Sequence, residues 1–215
     1  MSEALAKALL QGVGVAHSCE NPRLIETHIS WLILLGDYAY KLKKPVNLGF
    51  LDFSSLAKRR HFCAEEIRLN RRTAPGIYID ALPVSGTDTA PRLGDASAPI
   101  DYVVRMHRFE EDALMSDIAA RSELTADMIQ ALAHAIASFH GSAARADRNA
   151  PHATPQLVKA PADDNVRTLR QLVATPDARH QIESLTAWAE AQFDTHRRIL
   201  QQRHDSGYIR ECHGD

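Results

Sequence analysis

The chain has 215 residues, 45% of them hydrophobic and 24% charged, enough apolar side chain for one large core or two small ones. No stretch approaches the ~20 apolar residues that cross a bilayer, and a net charge of −2 argues against a general nucleic-acid binder. Three widely spaced cysteines (Cys19, Cys63, Cys212) without a CxxC pair exclude a disulfide or zinc framework; with Glu3 and no basic leader at the N-terminus, they point to a cytoplasmic protein with reduced thiols.

Residues 1–25 are expected to form a short helix and a loop broken by Gly12, Gly14 and Pro22. HISWLILLGDYAYKLKKPV then gives two apolar, aromatic-rich runs around Gly36-Asp37, a hairpin signal, and Pro45 ends the second strand. NLGFLDFS is a loop, and Ser54 or Ser55 can cap a helix running roughly from Leu56 to Arg72, before Pro75. IYIDALPV (77–84) and IDYVVRMHRF (100–109) are strands separated by a turn-rich loop. The order strand, strand, helix, strand, strand predicts an α+β chain, an antiparallel sheet with one inserted helix over 1–108.

After Phe109 the pattern turns helical, and 109–215 is expected to be a helical lobe. Thr125 can cap a helix whose Ile129, Leu132, Ala133, Ile136 and Phe139 share one face. Residues 141–165, rich in Ala, Pro, Asp and Asn, predict a flexible or surface-wrapped excursion. A long helix from about Asp177 to His204 follows, with Ile182, Leu185, Ala189, Phe193 and Leu200 on a buried stripe. Gly207 breaks it, and the chain runs out through His213-Gly214-Asp215.

Charge is uneven. Between Lys41 and Arg72 nine Lys/Arg face only Asp52, Glu65 and Glu66, a local balance of +6 against −8 elsewhere. Such a concentration suits a compact polyanion such as a nucleotide triphosphate, a stretch of RNA, or simply a solvated helix face. Few aromatics are interleaved there, which disfavours RNA. His134 and His140 lie six apart on one helix without HExxH spacing, so no metal site is expected.

YKLKKPVNLGFLDFSSLAKRRHFCAEEIRLNRRTAP, VVRMHRF and the terminal HGD together resemble the aminoglycoside phosphotransferase and protein-kinase-like family. More narrowly, they resemble the bacterial subgroup in which this domain precedes a P-loop ATPase domain. The resemblance implies a kinase-like N-lobe of five strands with a helix after the third; four strands are legible, and the first is expected near 23–28. It implies ATP and Mg²⁺ as cofactors and phosphoryl transfer to a small-molecule or polar acceptor hydroxyl.

Within that resemblance a third-strand lysine holds the α- and β-phosphates. Lys41, after Tyr38-Ala39-Tyr40, matches, and Lys43 shares its strand parity. The other reading of Lys41, Lys43 and Lys44 is protection of an edge strand. The partner carboxylate is expected on the following helix. At about 100° per residue Glu66 falls near the middle of the apolar arc and Glu65 at its edge, and Arg59 shares Glu66's direction as an alternative partner. Met106 is expected to pack on adenine, with the backbone of His107 to Phe109 as hinge. Thr27-His28-Ile29-Ser30 stands where many kinases carry a glycine-rich phosphate loop, so its amides and the Thr27 or Ser30 hydroxyls are the phosphate candidates. Asp215 is the expected base and His213 shapes its loop, an assistance of roughly 10²–10⁴ in rate. The magnesium ligands, an Asn five residues on and a later Asp, are expected beyond Asp215, so this stretch alone is expected to be inactive. A non-catalytic nucleotide-binding pseudokinase module is the competing reading.

Overall fold

The computed structural model describes residues 2–15, 20–147 and 154–212. In chain order they form α1 (Ser2–Leu10), β1 (Arg23–Glu26), β2 (Ser30–Leu35), β3 (Tyr38–Lys43), α2 (Leu56–Asn70), β4 (Tyr78–Gly86), β5 (Pro91–Leu93) and β6 (Asp101–His107). A 3-10 turn at Glu111–Ala113 leads to α3 (Met115–Ala120), α4 (Ala126–Ser142), α5 (Pro155–Leu172) and α6 (Pro176–Asp205). The class is α+β, and the sheet is antiparallel throughout in the order β1-β2-β3-β6-β4-β5. Two compact units, 1–132 and 133–215, divide inside α4. Among the described residues no helix is long and apolar enough to cross a membrane.

β2 and β3 meet across Gly36-Asp37 with Leu35 opposite Tyr38, and Gly36 takes the positive φ that a tight hairpin turn requires. Alternation then sorts the side chains. Trp31, Ile33, Leu35, Tyr40, Leu42, Val84 and Val103 face α1, which covers them with Leu5, Ala6 and Leu9. Leu34, Ala39, Val104 and Met106 point to the opposite face, against Cys63 and Ile67 of α2. Each fully buried aliphatic side chain here contributes about 1.5–3 kcal/mol.

β1 falls where the resemblance implies the first strand, near 23–28, while β5 escaped the sequence pattern. β1 is only four residues long, and β5 carries a proline inside the stretch expected to be loop. Pro91 is tolerated because β5 is an edge strand, paired to β4 through Val84 and Leu93. The chain after α1 crosses β5 so closely that a Cβ on Gly14 would sit 2.0 Å from the Pro91 carbonyl oxygen. The edge-protection reading of the lysines is overturned, because β3 lies between β2 and β6.

Ser55 caps α2 by accepting from the Lys58 amide at 3.2 Å. The helix's hold on the sheet is partly apolar, through Cys63 and Ile67, and partly ionic: its buried residues are Arg59 and Cys63. Arg59 does not meet Glu66. Its Nε donates to Asp101 Oδ1 at 2.8 Å, both side chains 3% exposed, while Nη1 donates to the Phe53 carbonyl at 3.1 Å. This pair ties the first turns of α2 to the start of β6.

In the second unit α5 and α6 pack against each other. The expected excursion over 141–165 is corrected for 155–165, which is the start of α5; residues 148–153 lie outside the described residues. Composition misled because Thr154 caps this helix, Pro155 sits in its first turn where an amide is not needed, and Lys159–Asp163 and Arg167–Asp164 pairs support it. On α6, Ile182 is buried and Ala189, Phe193 and Leu200 are half-buried, but Leu185 is 51% exposed rather than part of the buried stripe. Ile129, Leu132 and Ile136 of α4 are also exposed.

Breaking the Arg59–Asp101 pair strands a buried charge. Arg59→Met is expected to cost about 3–5 kcal/mol in urea unfolding, and adding Asp101→Leu to recover much of that loss. A single variant within 1 kcal/mol of wild type (a loss of about the size usual for exposed pairs) would show that the pair is not an anchor.

Candidate functional site

β1, β2, β3 and β6 form the floor of a cleft of about 400 Å³ on the α2 side of the sheet. Its floor is apolar: Ile25, Leu32, Leu34, Ala39 and Met106. One corner is polar, with Thr27, Ser30 and Lys41; Tyr78 is close enough to feel the charges of Glu66 and Lys41, and His107, Arg108, Phe109 and Leu114 complete the lining.

The polar corner is built by strand parity. Lys41 and Lys43 leave β3 on the same face, where Glu66 of α2 meets both. Lys41 Nζ donates to Glu66 Oε1 at 2.8 Å and Lys43 Nζ to Oε2 at 2.6 Å. The three side chains differ in exposure: Lys43 5%, Glu66 11% and Lys41 32%. Burial alone would push the Glu66 carboxyl up, but the charges of Lys43 and Lys41 outweigh it and hold the group below the ordinary carboxyl value of 4.5. Two cations on one carboxylate leave a net charge of +1 beside the apolar floor of the cleft, which Lys41 lines. Glu65 does not join them; its carboxylate takes Arg68 at 2.7 Å on the outer side of α2.

Ser30 lies opposite Lys43 in register. Its side chain lines the cleft, is buried, and has an oxygen without a hydrogen-bond partner. An orphan buried hydroxyl costs about 1–3 kcal/mol, and here it lies on the strand position opposite Lys43. Thr27 is different. Its hydroxyl accepts from the Ser30 amide at 3.0 Å and the Ile29 amide at 3.4 Å, and donates to the Ser30 carbonyl at 3.1 Å. The Thr27, Ile29 and Ser30 amides of this phosphate-candidate stretch are thus spent within the turn itself.

His107 to Phe109 sharpen the hinge expectation in the same way. The His107 amide donates to the Ile77 carbonyl at 2.8 Å and the Arg108 amide to the Asp37 carbonyl at 2.8 Å. Two of the three amides from His107 to Phe109 are thus spent within the fold. The His107 ring stacks on Tyr38 with centroids 5.6 Å apart, and Met106 lies in the floor. Tyr78, Ile25, Leu32 and Leu34 were missed from sequence. On β2 the run SWLILL is apolar at almost every position, so alternation could not say which side chains face the cleft. His213 and Asp215 lie outside the described residues.

No family model matches the chain, and no solved structure matches it. Uncharacterized proteins of Mycobacterium tuberculosis and Mycobacterium bovis are 32% identical to it over 120 residues, which is 56% of this chain and 22% of theirs. The chain thus spans less than a quarter of the length of these curated relatives.

Glu66→Gln leaves Lys43 buried against a neutral amide, with an expected loss of about 3–5 kcal/mol at neutral pH. The folded-state pKa lies below 4.5, so the carboxylate's contribution is complete above that value and lost as the pH falls through the lower folded-state pKa. Urea unfolding should show a constant gap between wild type and variant at neutral pH that closes in acid. A gap that persists unchanged in acid would mean that the charge of Glu66 is not what stabilises.

Proposed function

We propose that the cleft binds the nucleotide of an ATP-dependent phosphotransferase of the kinase-like class, acting on a small-molecule or polar acceptor hydroxyl. The observation that carries the reading is the Lys41–Glu66–Lys43 cluster, which brings one net positive charge beside the apolar floor of the cleft. A nucleotide is apolar and planar at one end and anionic at the other; the cleft offers an apolar floor with Lys41 at one corner, and Arg108 adds a second positive charge to its lining. The sheet, with its helix α2 following the third strand and docked by an ion pair, supports the same class.

Residue by residue, the base fits over Met106 between the β-strand floor and Phe109, with the Phe109 amide as donor. Lys41 meets phosphate oxygens, and Ser30 Oγ donates to one of them. Glu66 keeps Lys41 aimed. Bound ATP would supply the transferable phosphoryl group, and catalysis in this class is mostly positioning and charge neutralisation. Asp215 as base and His213 as its support belong to the proposal.

One observation favours a second reading, a non-catalytic nucleotide-binding module. The Thr27–Ser30 turn spends its Ile29 and Ser30 amides on the Thr27 hydroxyl, whereas a phosphate-gripping loop keeps them for ligand. Transfer of labelled γ-phosphate by a chain with an intact catalytic loop, lost in Asp215→Asn, separates the enzyme from this alternative.

Binding itself is tested by titrating ATP into ¹⁵N-labelled protein, which detects even weak complexes. The amides of Ser30, Lys41, His107 and Phe109 are expected to shift together, and Lys41→Met to weaken the effect at least about tenfold, the size of one lost charge-assisted contact. Ser30→Ala is expected to be neutral or stabilising toward urea, since it removes an unpaired buried hydroxyl, yet to weaken binding. Shifts confined to other surfaces, or unaffected by Lys41→Met, would refute the nucleotide site.

A further inference from the structure

Glu66 meets two lysines, and their surroundings differ. Lys43 Nζ lies 4.7 Å from the centroid of the Phe53 ring, and its side chain is almost wholly enclosed. Lys41 is a third exposed and lines the cleft. We infer that Lys43 is a fixed positioning residue that holds Glu66, and α2 with it, so that Lys41 can exchange Glu66 for a ligand phosphate without stranding a buried carboxylate.

The inference rests on the nucleotide reading above and adds a division of labour to it. Were Lys41 the sole partner, moving it to phosphate would leave Glu66 buried, charged and close to another anion. That state is costly, so it would either hold Lys41 back or push α2 away. With Lys43 on Oε2 at 2.6 Å, a one-to-one pair stays behind when Oε1 is vacated, and the charge Lys41 carries to the ligand is the cluster's surplus.

The other groups facing Glu66 do not share its charge. Cys63, one turn back on α2, has its thiol pushed up to about 12 by burial, and burial likewise raises the Tyr78 phenol on β4. Both stay neutral at ordinary pH. β6 presents Val104 and Met106 to this side. Glu66 is therefore the group that takes up a proton when its anchor is removed and Lys41 has moved to the ligand.

The test follows the Glu66 carboxyl directly, by carbon NMR of protein labelled in glutamate, its resonance identified by its loss in Glu66→Gln. Lys41→Met is expected to leave Glu66 titrating below 4.5. Lys43→Met should raise its pKa by about one unit or more, and Lys43→Arg should restore it. Calorimetry with ATP in two buffers of different ionisation enthalpy supplies the second arm. Wild type should bind without proton uptake, while Lys43→Met should take up close to one proton, its affinity rising by up to about tenfold for each unit the pH falls.

Equal pKa changes in the two methionine variants, or a larger one in Lys41→Met, would overturn the anchor role. If Lys43→Met does not fold, the Lys41→Met titration still decides, since a Glu66 that then titrates above 4.5 has no anchor in Lys43. Absence of ATP binding by wild type would instead overturn the nucleotide reading and the release of Lys41, while the carboxyl titration still reports whether Lys43 anchors.

Discussion

A single carboxylate, Glu66, is what the architecture of this sheet and helix turns on. It is nearly buried, it is charged, and it accepts from two lysines that a strand of period two sends to the same face. A buried ion pair is weak evidence for stability, because desolvation offsets most of its Coulombic gain. An apolar pair of the same volume would dock α2 at least as well. The cluster is better explained by what it offers the cleft, a positive charge fixed in place and only partly solvated.

The rest of the first unit holds that charge still. The α1 side of the sheet is conventional apolar packing, with Leu5, Ala6 and Leu9 over Ile33, Leu42 and Val103. The α2 side adds ion pairs to its apolar cluster around Cys63 and Ile67: the helix is fastened near its start by Arg59 to Asp101 and about two turns later by Glu66 to β3. Two directional contacts fix a helix's rotation more tightly than a greasy stripe does, and rotation is what decides where Glu66 points. Lys41 and Lys43 sit in the second strand from one edge of the apolar slot and opposite Leu32 and Ser30, so strand register brings cation and orphan hydroxyl together.

The legible parts of the sequence were those with a local signal. The Gly36-Asp37 hairpin, the Ser55 cap and the position of Glu66 within α2's inner arc all follow from turn chemistry and period. That Arg59 prefers Asp101 could not be read, since forty-two residues separate them and only the pairing of β6 beside β3 brings them together. β5 was hidden by its proline, and α5 by a composition that usually marks loops, though Thr154 and the i,i+4 charges carried the helix signal. The spent amides of Ile29, Ser30, His107 and Arg108 were equally invisible, because backbone hydrogen bonds leave no trace in side-chain identity.

The most direct test of the central claim is affinity labelling with an adenosine carrying a sulfonyl fluoride at its 5′ position, followed by peptide mass spectrometry. Such a probe reacts with a lysine that lies where the nucleotide's phosphates would be. The account predicts modification at Lys41, protection by ATP, and little reaction at the enclosed Lys43. Labelling that ATP does not suppress, or that falls on surface lysines with Lys41 untouched, would contradict it.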